Sequence, residues 1–580
     1  MTSVTSNHRN QMQASDVVSP PTPSPDARPP RASASLVVVR DAPGGIEVLL
    51  SRRAERGDHA SGAWVFPGGI VDPGDALAHA CCSGIDDASA NARLGVASGA
   101  LSYFVAAVRE CFEESGLLFA VDTRGALVRL DGDAGAALRA WRGPLHRGER
   151  SMTELCRAFG LTLALDRLVY LSHWLTPLGR AKRFDTRFFI AEAPPAQTAE
   201  FDGTEMVEQL WLRPADALAR AVELKLMTPT QTTLRLIGQH ANVSNLLAWA
   251  RAPREIALIM PRVGSGHQGM RPVLPDEPAW AEIGRLDPAG HGTSCYDIQV
   301  GTPVRLSPRL IRVTANNGSM MTGPGTNTYL IGGGPRNEWA VIDPGPFDQA
   351  HVDAIIAAAP GPIRWIFATH THNDHSPACV PLKARSGAVV HGRLAAHPQW
   401  QDASFAPDVH LQGGERFELP APEGMTTTLH AIHTPGHASN HLCYLLEEEK
   451  LLFTGDHVMQ QSTVVINPPD GDMAAYIASL RELSGRDLDW LAPGHGFLMA
   501  RPAQAMQAIV AHRLRREAKV VDAMRALGPA DADALLARVY DDVQPRLLAM
   551  AMRSLTAHLY KLRDDGKARE RDGRWALIDS

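Results

Sequence analysis

Seven side chains of two kinds, imidazole and carboxylate, fall at spacings that suit transition metals: His370, His372, Asp374, His375, His437, Asp456 and His495. They occupy four short motifs, in the order THTHNDH, HTPGH, FTGD and PGHG. The chain has 23 histidines, so one matching loop would carry little, whereas four motifs in this order are hard to obtain by chance. His370 and His372 are two residues apart, so in extended chain they point the same way. Asp374 and His375 come after the chain turns, so one loop can feed two neighbouring ions. We expect His370, His372 and His437 on one ion, Asp374, His375 and His495 on the other, and Asp456 bridging both. Imidazole and carboxylate suit zinc, and iron or manganese as well. A bound water there drops in pKa from about 15.7 to about 7, and the metal polarises a carbonyl or phosphoryl oxygen. The chemistry expected is hydrolysis, with Asp374 among the catalytic groups.

A second group of acids lies upstream in RECFEESG. Glu110, Glu113 and Glu114 fall at i, i+3 and i+4 on one helix face, where like charges repel. Arg109 at i−4 from Glu113 offsets part of that repulsion, and a divalent cation would offset all of it. Carboxylate oxygens suit magnesium or manganese. The plain alternative is a solvated acidic face.

The elements that must hold these groups can be read from pattern. IRWIFAT (363–369) reads as a buried strand, which puts His370 to His375 in the loop after it. LLFTGD sets Asp456 at a strand end, and TNTYLIG, WAVID and the helix HVDAIIAAA come before. Near the start, SLVVVR and IEVLLS flank DAPGG as a hairpin, followed by the turn FPGG (66–69) and the helix YFVAAVRECFEESG, which ends at Gly116. From 251 to 304 periodicity weakens and Gly, Pro and His accumulate. After 502 the chain turns helical and closes with two short strands around Asp572-Gly573. The expected division is a disordered tail over 1–32, a domain over 33–250, a linker over 251–304, a metal domain over 305–502 and a helical domain over 503–580.

At 580 residues the chain exceeds what one core supports. A net charge of -6 gives no global case for nucleic acid or a membrane surface. Residues 501–580 are mildly basic, with 15 Lys and Arg against 11 Asp and Glu. Seven cysteines, odd in number and without a CxxC pair, read as free thiols in a reducing, cytoplasmic setting. No apolar run approaches the roughly 18 residues of a membrane span, and the first residues lack the apolar segment of a secretory signal.

On the four motifs, residues 305–500 resemble the metallo-β-lactamase superfamily. That resemblance implies an αββα sandwich with the metals at one edge of its sheets. NNGSMMTGPGTNTYLIG, the stretch HTPGHASNHLCYLLEEEKLLFTGDHVM and a tail like a winged helix are together similar to the endoribonuclease-like branch. HTPGH with His441 is also similar to hydroxyacylglutathione hydrolase, a thioester hydrolase with a different C-terminal extension. Asp343, in IDPG, matches a position that in this family orders the metal loops. FPGG with RECFEESG resembles the Nudix box, G-x5-E-x7-RE-U-x-EE-x-G-U, and implies an α/β/α sandwich with Glu110 and Glu113 catalytic and Glu110, Glu113 and Glu114 on the metal. Gly69 fits the opening glycine, Asp75 stands for the first Glu, and about 26 residues are inserted before Arg109. LLSRRAERGDHASGAWVFPGG is similar to the branch acting on coenzyme A, although Asp58 stands where a basic residue is expected.

The whole reads as a multidomain chain of α/β and α+β class carrying two hydrolases. The partners expected are a small-molecule substrate, with RNA as the alternative and no membrane. Three further readings follow from the same residues: an endoribonuclease whose tail grips RNA, a hydroxyacylglutathione-type thioester hydrolase, and a Nudix domain that senses a ligand without turnover.

Overall fold

A computed structural model describes residues 29–55, 61–422 and 425–578. Asp58 and the first 28 residues of the expected tail lie outside them; residues 31 and 32 already belong to a strand. The chain divides into two compact units.

The first unit is built on one mixed sheet, in the order Met206–Leu212, Gly45–Arg53, Arg31–Ala42, Phe184–Glu192, Val169–Leu175 and Leu258–Ile259. The expected hairpin forms, with Val39 opposite Val48 and Ala42 opposite Gly45. Alternation of side chains then sends Leu36 and Val38 to one face and Val37 and Val39 to the other. The first face is covered by the Leu101–Ser115 helix and the second by Thr228–Ile237 and Val243–Arg251, which makes an α/β/α sandwich. The Leu101–Ser115 helix stops at Gly116, whose φ of 71° is the left-handed stop that glycine adopts freely.

The second unit has two sheets. One runs Val304–Ser307, Leu310–Thr314, Asn327–Gly333, Glu338–Ile342, Ile363–Phe367, Val389–Gly392 and Val409–His410. The other runs Arg416–Glu418, Thr428–His433, Leu442–Leu446, Leu451–Gly455, Trp490–Pro493 and Met499–Ala500. Tyr329, Ile331, Phe367, Tyr444 and Phe453 fill the space between them. Helices Gln349–Ala358 and Cys379–Ser386 cover the outer face of the first sheet. Met473–Ser484 and the start of Pro502–Leu527 cover the second, which completes the αββα order. The chain ends in helices Ala532–Val539 and Leu548–Asp564 and a hairpin pairing Ala568 with Leu577. Trp575 is buried there, and its backbone exchanges hydrogen bonds with Ala530.

The stretch 251–304, expected as a linker, is folded. Residues 276–287 belong to the second unit and include the helix Trp280–Leu286. Glu282 is buried there in a two-point ion pair with Arg312, at 2.7 and 2.9 Å. A pairing across thirty residues leaves no local periodicity, so Gly and Pro content alone suggested a linker. The seven cysteines are all unpaired, and among the described residues no helix is long and apolar enough to cross a membrane.

Candidate metal centre and cavity

The metal-type residues collect where strands of the two sheets end. Strand Ile363–Phe367 delivers His370, His372, Asp374 and His375 in one loop. Strand Leu451–Gly455 delivers Asp456, and strand Trp490–Pro493 delivers His495. The glycine before Asp456 is required by crowding. A Cβ on Gly455 would lie 2.6 Å from Thr369 Oγ1 and 2.8 Å from His441 Nε2, and its φ is +44°.

All seven residues meet, in two groups: His370, His372 and His437, and Asp374, His375, Asp456 and His495. In the first group His372 Nδ1 is 3.0 Å from His370 Nε2 and 3.1 Å from His437 Nε2. In the second, His495 Nε2 is 3.1 Å from Asp456 Oδ1 and 3.4 Å from Asp374 Oδ2, and His375 Nε2 is 3.3 and 3.4 Å from the same two oxygens. A tetrahedral ion with bonds of about 2.0 Å separates its ligand atoms by about 3.3 Å, so both groups are spaced as ligand shells. His375 Nε2, His495 Nε2 and Asp456 Oδ1 are buried without a hydrogen-bond partner, as atoms waiting on a cation are. Asp456 Oδ2 also lies 3.8 Å from His437 Nε2, which puts this carboxylate between the groups.

The outward-facing ring nitrogens are held from behind. His437 Nδ1 donates to the Val465 carbonyl at 2.7 Å and His495 Nδ1 to the Gly325 carbonyl at 3.1 Å. His375 Nδ1 donates to Asp343 Oδ2 at 2.9 Å. Asp343 also accepts from Thr369 N and Thr369 Oγ1, both at 2.7 Å, and that hydroxyl sits 3.0 Å from His370 Nδ1. Such partners fix the tautomer that leaves the other nitrogen free to bind. Asp343 therefore braces both groups, as its place in the motif implied.

Electrostatics separate the two groups. Burial and the neighbouring imidazoles push His370 well below its ordinary pKa and His372 down to about 3, so these two rings are held as neutral nitrogen donors. In the second, burial alone would lower His495, but Asp456 and Asp374 outweigh it and raise it to about 9. His375 is likewise raised against burial by Asp374, Asp456 and Asp343. Burial opposes ionisation of Asp374 and Asp456 too, yet His375 and His495 hold both carboxyls below their usual range. Two carboxylates converging on one point call for positive charge, which a divalent ion would supply.

A cavity of about 540 Å³ opens over His372, Asp374, His437 and Asp456. Met320, Met321, Trp400, Met459 and Val465 wall one part of it; Tyr540, Leu547 and Met550 of the C-terminal helical region wall another. Trp400 has φ +69°, a conformation bulky residues rarely adopt, and is 64% exposed at the rim beneath the Arg553 guanidinium, 5.6 Å from its ring centre. Its neighbour Gln401 pairs with His372 in an isolated β-bridge and accepts from Thr371 Oγ1 at 2.5 Å, so this loop is tied to the metal loop.

In the first unit the acids of RECFEESG pack against FPGG. A Cβ on Gly69 would lie 2.3 Å from Glu110 Oε1, and Gly68 N donates to Glu114 Oε2 at 3.0 Å, so FPGG seats the acidic helix directly. Arg109 takes Asp75 with two bonds, at 2.8 and 3.1 Å, despite the inserted residues, and also meets Glu110 at 2.8 Å and Glu113 at 3.4 Å. All three glutamates are buried, which rules out the solvated acidic face. Burial, against the pull of Arg109, raises Glu113 to about 8 and raises Glu110; burial and then the Glu110 charge raise Glu114 well above the usual range. Glu113 Oε1 is buried without a partner. Among the described residues, the groups spaced to hold a metal ion do not include these three glutamates, and the protein's own Arg109 occupies part of their oxygen surface.

Residues 321–495 match the family model of the metallo-beta-lactamase superfamily. An Atrochrysone carboxyl ACP thioesterase of Aspergillus fumigatus is 31% identical over 255 residues, which are 42% of this chain and 76% of that protein. The chain belongs to the metallo-β-lactamase superfamily. Residues 23–233 match the NUDT19 Nudix domain model and residues 532–575 the beta-lactamase associated winged helix domain. The Lactamase-like protein vrtG of Penicillium aethiopicum is 31% identical over 226 residues, 38% of this chain and 68% of that one. A NUDIX hydrolase structure from Alicyclobacillus acidocaldarius is 27% identical and covers 38% of this chain and 97% of its own, with a TM-score of 0.33. The protein is thus a hydrolase joining Nudix, metallo-β-lactamase and winged-helix domains, with a His/Asp cluster suited to divalent metal.

Several residues of this metallo-β-lactamase site escaped the sequence reading. Thr369 lies inside the quoted motif but has no ligand chemistry to mark it. Trp400 and Gln401 lie in a stretch without motif or period. Arg513 sits in the mildly basic helical stretch after 502, where no motif marks it.

Proposed function

We propose that the metallo-β-lactamase domain hydrolyses thioesters of a large, mainly apolar acyl group. The observation that carries this is the cavity that His372, Asp374 and Asp456 line, whose surface is mainly apolar, with Met320, Met321, Met459, Leu547 and Met550 beside Arg513, Arg516 and Arg553. The names of the relatives, acyl-carrier-protein thioesterases, point the same way. In this reading His370, His372 and His437 hold one ion, Asp374, His375 and His495 the second, and Asp456 both, zinc being our first choice. The ions, when bound, would supply an activated water and polarise the thioester carbonyl. In this reading Asp374, which lines the cavity and is 27% exposed against 11% for Asp456, takes the water's proton and returns it to the departing sulfur. Water and thioester give a carboxylic acid and a thiol.

The Nudix domain is read as a separate diphosphate hydrolase using Glu110, Glu113 and Glu114 with magnesium or manganese, on nucleoside diphosphate-linked or CoA-like substrates. The free thiols suit a reducing, cytoplasmic setting. The test is a panel on protein of measured metal content: acyl thioesters followed by release of thiol, single-stranded RNA, and nucleoside diphosphate derivatives. Thioester turnover that vanishes with chelation and in Asp374→Asn is expected. RNA cleavage without thioester turnover would reverse the reading in favour of the endoribonuclease.

A further inference from the structure

Arg513, in the helix Pro502–Leu527, is 2% exposed and lines the cavity. Its Nη2 donates to the Val464 carbonyl, its guanidinium lies 5.5 Å from the centre of the Tyr476 ring, and its Nε is buried without a partner. The groups around it include Tyr476, Tyr540, His512 and His558. Not one of these is an acid. Arg516 has Asp542 at 2.9 Å, and Glu517, one turn on in the same helix, pairs with Lys561 through Oε1 at 3.1 Å and lies with Oε2 3.5 Å from His558 Nδ1. Among the described residues no carboxylate pairs with Arg513.

A buried cation without a counter-charge is costly, and replacing it by an apolar side chain is usually favourable. A guanidinium kept in that state, at the edge of a cavity, is complete only when an anion arrives. Its location is also tied to the metal centre. Val464 and Val465 offer adjacent carbonyls, the first to Arg513 and the second to His437 Nδ1 at 2.7 Å. The charge therefore stands one peptide away from the support of a metal-site histidine.

We propose that Arg513 anchors an anionic group of the substrate: a carboxylate on the acyl part, or a phosphate on the arm that carries the thiol. Guanidinium binds both through its fork of N–H donors, which a neutral or singly pointed side chain cannot reproduce. The inference rests on the thioester reading and narrows it to substrates with a negative charge inside the cavity. In this view the winged-helix region's neighbouring long helix selects the substrate while the two sheets perform the chemistry.

The experiment uses the full chain with measured metal content and two matched pairs of thioesters. Glutaryl N-acetylcysteamine and its methyl ester differ in the charge of the acyl carboxylate; butyryl-phosphopantetheine and butyryl-pantetheine differ only in a phosphate. The wild type should favour the charged member of one pair by at least about tenfold, mainly through KM, and the pair that responds identifies the source of the charge. In Arg513→Gln the ratio should fall below about threefold, and Arg513→Lys should keep part of it. Losses that are equal for charged and neutral members, or that fall on kcat with the ratio intact, would mean that Arg513 only braces the Val464–Val465 strap, and would overturn the proposal. The same four ligands as non-hydrolysable thioethers, titrated by calorimetry, separate this inference from the reaction. A wild-type preference for the charged thioether that Arg513→Gln loses supports the anchor even if no thioester is turned over, and no preference refutes it. Should Arg513→Gln fail to fold, Arg513→Lys carries the test, since a retained full ratio there would also refute the need for a forked donor.

Discussion

Replacing Asp343 by Asn tests how the metal loops are held. Asp343 accepts from His375 Nδ1, Thr369 N and Thr369 Oγ1, and it has φ +49°, which Asn tolerates as well as Asp. The substitution therefore changes hydrogen bonding and charge without adding backbone strain. Asn retains one acceptor oxygen; with that oxygen kept on Thr369 N, its NH2 stands in the place of Oδ2, where His375 Nδ1 loses its acceptor while the Thr369 hydroxyl can turn to accept. A lost bond to a charged group is worth about 1.5–3 kcal/mol, and changes of this kind typically cost 10- to 100-fold in metal affinity. His375 bears the loss directly, whereas His370 feels it only through the Thr369 hydroxyl. The metal on Asp374, His375 and His495 should thus weaken about 10- to 100-fold, and the metal on His370, His372 and His437 at least fivefold less than that. The assay is competition against a chromogenic chelator that resolves two binding steps, with the thermal transition followed to confirm folding. Equal weakening of both steps, or none, would refute the claim that Asp343 acts chiefly through His375.

Asp456→Ala removes the carboxylate that lies between the two groups, so it should empty more metal than His437→Ala; mass spectrometry showing full occupancy would sink the bridging role. Burial raises Glu113 from 4.5 to about 8, so its favourable contribution is complete below about pH 4.5 and is lost as pH rises through 8. At about 1.4 kcal/mol per unit this reaches at most roughly 5 kcal/mol; Glu113→Gln should flatten the fall in the Nudix unit's thermal transition between pH 5 and 8, remove diphosphatase activity, and abolish stabilisation by magnesium. His351 is lowered from 6.5 to about 4 by burial, so its contribution is present above pH 6.5 and lost as pH falls through 4, a decrease of up to about 3 kcal/mol; His351→Gln should flatten that acid limb in urea unfolding of the second unit. Glu282→Ala strands a buried Arg312 and should cost about 3–5 kcal/mol, read as a lower unfolding midpoint of the same unit, whereas the double change with Arg312→Met should recover much of it.

The readable parts of this chain are those where chemistry and local period coincide. THTHNDH follows a strand whose apolar run is obvious, and its side chains are rare enough in combination to be matched with HTPGH, FTGD and PGHG. RECFEESG was legible as one helix face, but its burial was not, because three acids on a surface and three acids in a pocket have the same spacing. The structure distinguishes them through Gly68 and Gly69, which bring backbone against the glutamates. Asp75 to Arg109 could be aligned with a motif only by allowing a long insert, and the two-point ion pair shows that the two residues meet across it. What stayed hidden depends on contacts between distant segments: Trp400 beside the metal loop, Arg513 against Val464, and Glu282 against Arg312.

The last of these changes how the metal site is built. PGHG carries His495, yet little within those four residues fixes where the ring points. Asn327 donates to the carbonyls of Pro493 and Gly496, at 3.0 and 2.8 Å, and its own N–H bonds to Gly494. Just beyond, Leu498 N donates to Glu282 at 2.8 Å, and Gln460 links Phe497 N to the Pro278 carbonyl. Residues 278 and 282 come from the stretch whose composition suggested a linker. The segment that joins two hydrolase domains in sequence is thus part of the wall against which the last metal-type ligand is set. A shortened version of the chain beginning at 305 would retain all seven metal-type residues and lose the support of one of them, because Arg312 would be left buried without its carboxylate and Leu498 N without its acceptor.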